Sequence, residues 1–241
     1  MELIVLGIDT SEARGSVAVR KDGALAAMEE HVTSEDYSSW LLPAVGRTLG
    51  RAGSGLKDVD VFAVANGPGS FTGLRVGITA VKAWAELFEK ATIGVSRLEA
   101  IARVPQVEKG YVAASFDARR GQIFGGMYRV EAGGGLRRVE QEMVAGAEEF
   151  VRRVSDRAGR DLVRWVTLDP ELIEITADWM KRKELGETLE LCEAGLASVV
   201  AELGEERARR GEANDAVHLD ANYVRRSDAE IFWKDPASHG R

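Results

Sequence analysis

The 241-residue sequence is poor in the side chains that build metal and redox sites. It has one cysteine, Cys192. A lone thiol excludes a disulfide within the chain and any cysteine-cluster metal centre. Cys192 falls in a stretch that reads as helix, where it is expected to be a small buried hydrophobe. Only three histidines occur, His31, His218 and His239. None is paired four residues apart and no His-Glu-x-x-His occurs, so no helical zinc or iron site is written here. No Gly-x-Ser-x-Gly elbow is present, and Ser70 has no base visible in the sequence. No apolar run approaches membrane-spanning length. Met1 to Ile8 lacks a basic flank and is too short for a secretory signal, so a cytoplasmic protein with no membrane partner is expected. Basic charge is not in excess, with 32 Lys and Arg against 39 Asp and Glu for a net charge of −7. Proteins that grip nucleic acid through their own surface are usually basic. The balance argues against RNA binding by the chain alone, though a subunit whose partner holds the RNA is compatible with it.

What is present is apolar and glycine-rich. Hydrophobic residues make up 45% of the chain and glycines number 26, enough for one large or two small packed domains. Leu3–Ile8, Gly15–Arg20 and Ala24–His31 read as three strands, with a hairpin turn at Asp22-Gly23. Ser34–Arg51 reads as a helix capped by Ser34 and bent at Pro43. Tyr37, Trp40, Leu41, Ala44, Val45 and Leu49 share one of its faces. Val59–Ala65 is an unbroken apolar run, a buried strand. The segment Asn66-Gly67-Pro68-Gly69-Ser70-Phe71-Thr72-Gly73 follows, leading through Arg75 into a helix over Leu74–Phe88. A glycine-rich loop at such a junction can present backbone N–H groups to an anion, and Ser70 or Thr72 can cap the helix. No Walker lysine follows and the spacing is not GxGxxG. A short strand over Ala91–Ser96 comes next.

At Gly110 the pattern restarts. Tyr111–Phe116 ends in Asp117 as Leu3–Ile8 ends in Asp9, and Gly121–Val130 returns as Gly15–Arg20 does. Leu136–Val144 is then a third strand and Ala147–Val154 a helix. The offset is about 108 residues, an internal repeat. The second copy is less regular, with a strand over Leu162–Leu168 and a helix over Leu189–Arg210.

The string Asn66 to Gly77 (NGPGSFTGLRVG) resembles the hallmark of the TsaB (YeaZ) family, bacterial proteins of tRNA threonylcarbamoyladenosine biosynthesis. Leu6-Gly-Ile-Asp-Thr-Ser11, Phe116-Asp-Ala-Arg-Arg-Gly121 and Tyr223-Val-Arg225 resemble three further family motifs. Order and spacing fit from residue 2 to about 125 and again at Tyr223. The resemblance implies an α/β, duplicated actin-like or ribonuclease H-like fold, shared with sugar kinases and heat-shock-70 ATPases. It implies an N-terminal lobe over 1–109, an eroded C-terminal lobe over 110–226 and a polar tail over 227–241.

The fold places Asp9, Ser11, Asp117 and Arg119 at a remnant nucleotide cleft. The plainer reading is that the two aspartates cap turns, and Glu12 and Arg14 stand where the ATPases keep a short phosphate turn. The resemblance further implies a non-catalytic scaffold subunit with no metal and no tightly bound cofactor, ATP or ADP being placed at the complex interface. Its partners would be the catalytic paralogue TsaD, which carries the His-x-x-x-His motif missing here, and the ATPase TsaE. Alone it would be a homodimer, and tRNA would be met only through the complex. Tyr37, Trp40, Leu41, Val45, Leu74, Ile78 and Val81 are the expected partner interface. The second helix carries one stripe of Leu74, Ile78, Val81, Ala85 and Phe88 and another of Gly73, Gly77, Ala80 and Trp84, more apolar surface than one sheet is expected to cover. The alternatives are an ATPase or small-molecule kinase of the same fold, built on Asp9, Asp117 and the glycine loop, and a metallopeptidase, which lacks ligands.

Overall fold

The computed structural model describes residues 3–32, 34–193 and 195–225. Strands β1 (Ile4–Asp9), β2 (Ser16–Lys21) and β3 (Ala24–Glu30) form an antiparallel meander, followed by helix α1 (Tyr37–Arg51). Then come β4 (Val61–Gly67), α2 (Phe71–Phe88), β5 (Ala91–Ser96) and a short α3 (Arg97–Arg103). The sheet order is β3-β2-β1-β4-β5, with β1, β4 and β5 parallel. The second half comprises β6 (Gly110–Arg119), β7 (Gln122–Val130), β8 (Leu136–Arg138), β9 (Met143–Ala145) and α4 (Ala147–Ala158). After them run β10 (Val163–Thr167), α5 (Pro170–Glu174), α6 (Ala177–Glu184), β11 (Thr188–Leu191) and α7 (Ala197–Arg209).

Its sheet runs β11-β10-β6-β7-β8, with β9 also on β7. Read from the other edge this is the order of the first sheet. β6 takes the place of β1, with an antiparallel neighbour on one side and a parallel one on the other. The repeat read from the sequence is therefore a repeat of topology.

The centre of the molecule is built by exchange. α7 packs on β1, β2, β4 and β5 of the first sheet, and α3 packs on β6 and β7 of the second. β1 is thus covered on both faces and buried along its whole length, which is why Ile4–Ile8 is continuously apolar instead of alternating. One core cluster spans both sheets through Val5, Ile101, Val112, Phe116 and Val200. A second lies under α1 and α2, and a third under α4.

Several boundaries differ from expectation. α1 begins at Tyr37 with Asp36 at the cap position, not Ser34. The segment read as one helix over Leu189–Arg210 is a strand, β11, then α7. Gly195 between them adopts φ +103°, a left-handed conformation that interrupts a helix. Cys192 accordingly extends the β11 ladder, its N–H donating to Thr167 O at 2.7 Å. Leu136–Val144 is two three-residue pieces, β8 and β9. α7 and the segment after it return to the first sheet, with Asn214 bridging to Thr92 of β5. The tail over 227–241 and His239 lie outside the described residues.

Candidate functional site

The glycine loop is the turn between β4 and α2. Ser70 caps α2, its hydroxyl accepting the Gly73 N–H at 3.3 Å. The Ser70 N–H donates to Ser11 O at 2.6 Å. The Thr10 hydroxyl donates to Gly73 O at 2.7 Å. A Cβ on Gly69 would run into the Ser11 carbonyl, and one on Gly73 into the Thr10 carbonyl. The motif therefore lies backbone to backbone on the Thr10–Ser11 turn. Its glycines permit that approach, and the Ser70 and Gly73 N–H groups serve protein acceptors, not an open anion cradle.

The C-terminal segment locks onto the same loop. Asn222 N–H donates to Asn66 O at 2.7 Å, and the Asn66 amide donates to Asp220 O at 3.0 Å. Tyr223 stacks on Phe71 with ring centroids 5.5 Å apart. Arg225 reaches the second lobe, donating to Ala118 O and Gln122 Oε1 at 2.7 Å each. Glu142 on the second lobe accepts from Tyr128 OH and from the Asn222 amide, both at 2.6 Å, and from the Ser96 hydroxyl. The Tyr-Val-Arg motif is thus a strap that crosses both lobes. Glu142 and Asn222 were invisible as site residues, because each acts across a long sequence separation.

Between the lobes opens a cleft of about 490 Å³ lined by Glu12, Arg97, Phe116, Asp117, Asp169 and Cys192, among others. Asp9 lies beneath it, fully buried, 3.1 Å from Arg97 Nη1 and accepting the Ser11 N–H at 2.9 Å. Asp117 makes the equivalent turn, accepting the Arg119 N–H at 2.6 Å and pairing with the Arg119 guanidinium at 3.0 Å. The Asp117 N–H donates to Asp169 at 2.7 Å. Burial raises the Glu12 carboxyl above its ordinary pKa, partly offset by Arg97 and Arg119. Burial also pushes the Cys192 thiol up to about 12, so it is not a thiolate at neutral pH. These residues do not fit a magnesium–triphosphate. Asp9 is already held by Arg97 and Ser11, while Glu12, Asp117, Asp169 and Glu193 line the cleft, so a triphosphate there would meet four carboxylates. Arg97 was missed by the sequence reading. Its segment, Val95-Ser-Arg-Leu-Glu-Ala-Ile-Ala102, carries charges of both signs and gives no signal that sets Arg97 apart.

The residues expected at the partner interface are mostly core. Trp40, Leu41, Val45, Leu74, Ile78 and Val81 are all buried within the chain, under the first sheet. Tyr37 is half-buried and donates its hydroxyl to Glu12 O. Three of the four residues of the second stripe of α2 are also satisfied internally, with Gly73 and Gly77 against Thr10 and Trp84 against Phe62, while Ala80 borders the solvent-facing groove. The solvent-facing stripe is a third one. Phe71, Thr72, Arg75, Val76, Thr79 and Ala80 line a shallow groove on it. Phe71 is 42% exposed, with Arg75 3.9 Å above its ring and Tyr223, 48% exposed, beside it. On α1, Leu42 is exposed in the same way.

His31 serves structure. Its ring nitrogens lie 3.1 Å from Ala13 O and 2.7 Å from Glu35 O, and the ring packs on Tyr37 and Trp40. Among the described residues no cluster of three metal-ligating side chains occurs.

Residues 30–160 match the family model described as TsaD, tRNA N6-adenosine threonylcarbamoyltransferase. The tRNA threonylcarbamoyladenosine biosynthesis protein TsaB of Bacillus subtilis is 30% identical over 236 residues, covering 96% of this chain and 98% of that protein. The likeness thus continues through the second lobe, beyond the residue-125 limit read from motifs. The solved structure of YeaZ from Pseudomonas aeruginosa superposes with TM-score 0.75 and 27% identity, covering 92% of this chain and 99% of that one. A ROK hexokinase from Thermus thermophilus shares the fold at TM-score 0.51 and 12% identity, covering 86% of this chain and 100% of that one.

Proposed function

The chain belongs to the TsaB family of tRNA threonylcarbamoyladenosine biosynthesis proteins, and from that premise we propose that it acts as a non-catalytic assembly subunit. The observation that carries this reading is where the family motif points. The loop's glycines and cap fasten α2 to the first turn, and the strap fastens the loop in turn. What the motif presents outward is the Phe71–Ala80 face of α2 with Tyr223 beside it. That face is weakly polar, carries an aromatic anchor, and is held on rigid elements, the features of an interaction hot spot.

The occupant we assign is a TsaD-like paralogue, which presents an equivalent helix if it shares this fold. A second copy of this chain would use the same face when the paralogue is absent, giving an isologous dimer. A TsaE-like ATPase and tRNA would join through that complex, in the cytoplasm. Among the described residues no helix is long and apolar enough to cross a membrane. ATP or ADP, where needed, belongs at the boundary between subunits, since the inter-lobe cleft does not fit a magnesium–triphosphate.

The test is reconstitution. With the TsaD-like and TsaE-like proteins, addition of this chain should raise threonylcarbamoyladenosine formation on tRNA, while the purified chain alone turns over no ATP. ATP hydrolysis by the chain alone, abolished by Asp9→Asn in a folded protein, would instead support the kinase or ATPase reading.

A further inference from the structure

Arg97 is fully buried, yet among the described residues only one of its three nitrogens has a partner. Nη1 donates to the Asp9 carboxylate and to the Ser11 hydroxyl at 2.6 Å. Nε and Nη2 have no hydrogen-bond partner among the described residues. These two N–H groups belong to one edge of the guanidinium, the edge turned away from Nη1. That edge is the fork that receives a planar carboxylate through two parallel bonds. Arg97 also lines the inter-lobe cleft, where its guanidinium stands 5.1 Å over the Phe116 ring. A buried donor pair left unmade is costly, so its place beside a cavity of small-ligand size points to an acceptor from outside the fold.

The charges around the cleft narrow the choice. Asp9 already balances Arg97. Arg119 is paired with Asp117, and Arg14 with Glu30. Glu12, Asp169 and Glu193 also line the cleft and have no ion-pair partner among the described residues. A polyanion entering here meets three unpaired carboxylates. A molecule with one carboxylate and one ammonium group meets a fork at one end and acids at the other.

We propose that this cleft binds a small zwitterion of the α-amino-acid type, its carboxylate on Nε and Nη2 of Arg97 and its ammonium group facing Glu12, Asp169 and Glu193. The site is independent of the α2 face, so it stands or falls separately from the assembly reading.

Calorimetric titration of the full chain with alanine, acetate and magnesium–ATP tests the proposal. Alanine should bind saturably, acetate roughly tenfold more weakly for want of the ammonium contact, and magnesium–ATP not at all. Arg97→Lys keeps a cation beside Asp9 but loses the fork, and should weaken alanine roughly tenfold or more. Asp169→Asn should weaken alanine and leave acetate unchanged. If Arg97→Lys does not fold, the Arg97 Nε–H resonance of the nitrogen-15-labelled wild type gives the same answer, by shifting and exchanging more slowly when alanine is added. Failure of alanine to saturate, alanine binding unaltered in a folded Arg97→Lys, or an Nε–H signal indifferent to alanine would each overturn the proposal. Magnesium–ATP binding more tightly than alanine would also overturn it and reassign the cleft to phosphates.

Discussion

Gly73 packs against the first turn and Glu12 belongs to it, and each gives a prediction at the scale of one side chain. A glycine inside a helix ordinarily weakens it by about 0.5–1 kcal/mol relative to alanine. At Gly73 the methyl would meet the Thr10 carbonyl, a backbone atom that cannot step aside. The clash outweighs the propensity gain, so Gly73→Ala should destabilise the chain by about 1–3 kcal/mol in urea unfolding. A stabilised mutant would mean that the loop is not seated on the turn.

Glu12 carries a pH dependence. Its pKa is raised above the ordinary 4.5, chiefly by burial. The folded chain therefore holds this proton more tightly than the unfolded chain does. The contribution favours folding below about pH 4.5 and is lost as pH rises through the raised value. Between pH 4.5 and neutrality, wild type should lose stability relative to Glu12→Gln. Parallel stability curves for the two proteins would contradict the burial of that carboxyl.

At the scale of elements, α2 has three faces with three jobs. One covers the sheet, one meets the first turn and Phe62, and one faces solvent. The sequence shows the first directly, as a stripe at helical spacing. It misleads on the second, because Gly73 and Gly77 face backbone oxygen and a threonine hydroxyl, which leave no apolar pattern of their own. Ile78→Glu and Trp40→Glu would bury an unpaired carboxylate in the core under the sheet. Each should cost about 3–5 kcal/mol, a large part of a typical domain's stability. Thermal melts should show both variants unfolded or strongly destabilised, and a folded monomer would restore those residues to an interface. The strap is the other element with a testable role. Arg225→Ala removes two charge-assisted hydrogen bonds to the second lobe and should cost about 1–3 kcal/mol. An unchanged urea midpoint would show the strap to be ornamental to the fold.

For the whole molecule, the duplication was legible because each copy opens with an apolar strand ending in aspartate and turns straight back into a second strand. The glycine loop was legible because it is local and compact in sequence. The helix exchange at the centre was not, since nothing in the pattern of α7 says which sheet it covers. α3, α5 and α6 are too short for a period to register, and β11 shares its composition with the helix that follows. The cleft was read from its aspartates, but the residue that decides its chemistry, Arg97, comes from a helix the sequence did not reveal. The two helices expected to meet a partner are legible in the sequence as elements of the first lobe, while most of the residues expected to face that partner pack inside the lobe.

The central claim is that the outward face of α2 holds the partner. The most direct test is sedimentation of the chain, alone and with the TsaD-like paralogue, for wild type, Arg75→Glu and Thr79→Glu. Arg75 and Thr79 are exposed, so both variants should keep the wild-type melting temperature. The account predicts that wild type forms a homodimer alone and a heterodimer with the paralogue. Each variant should sediment as a monomer and lose the paralogue by at least roughly tenfold in affinity. Folded variants that still dimerise and bind the paralogue with wild-type affinity would contradict it.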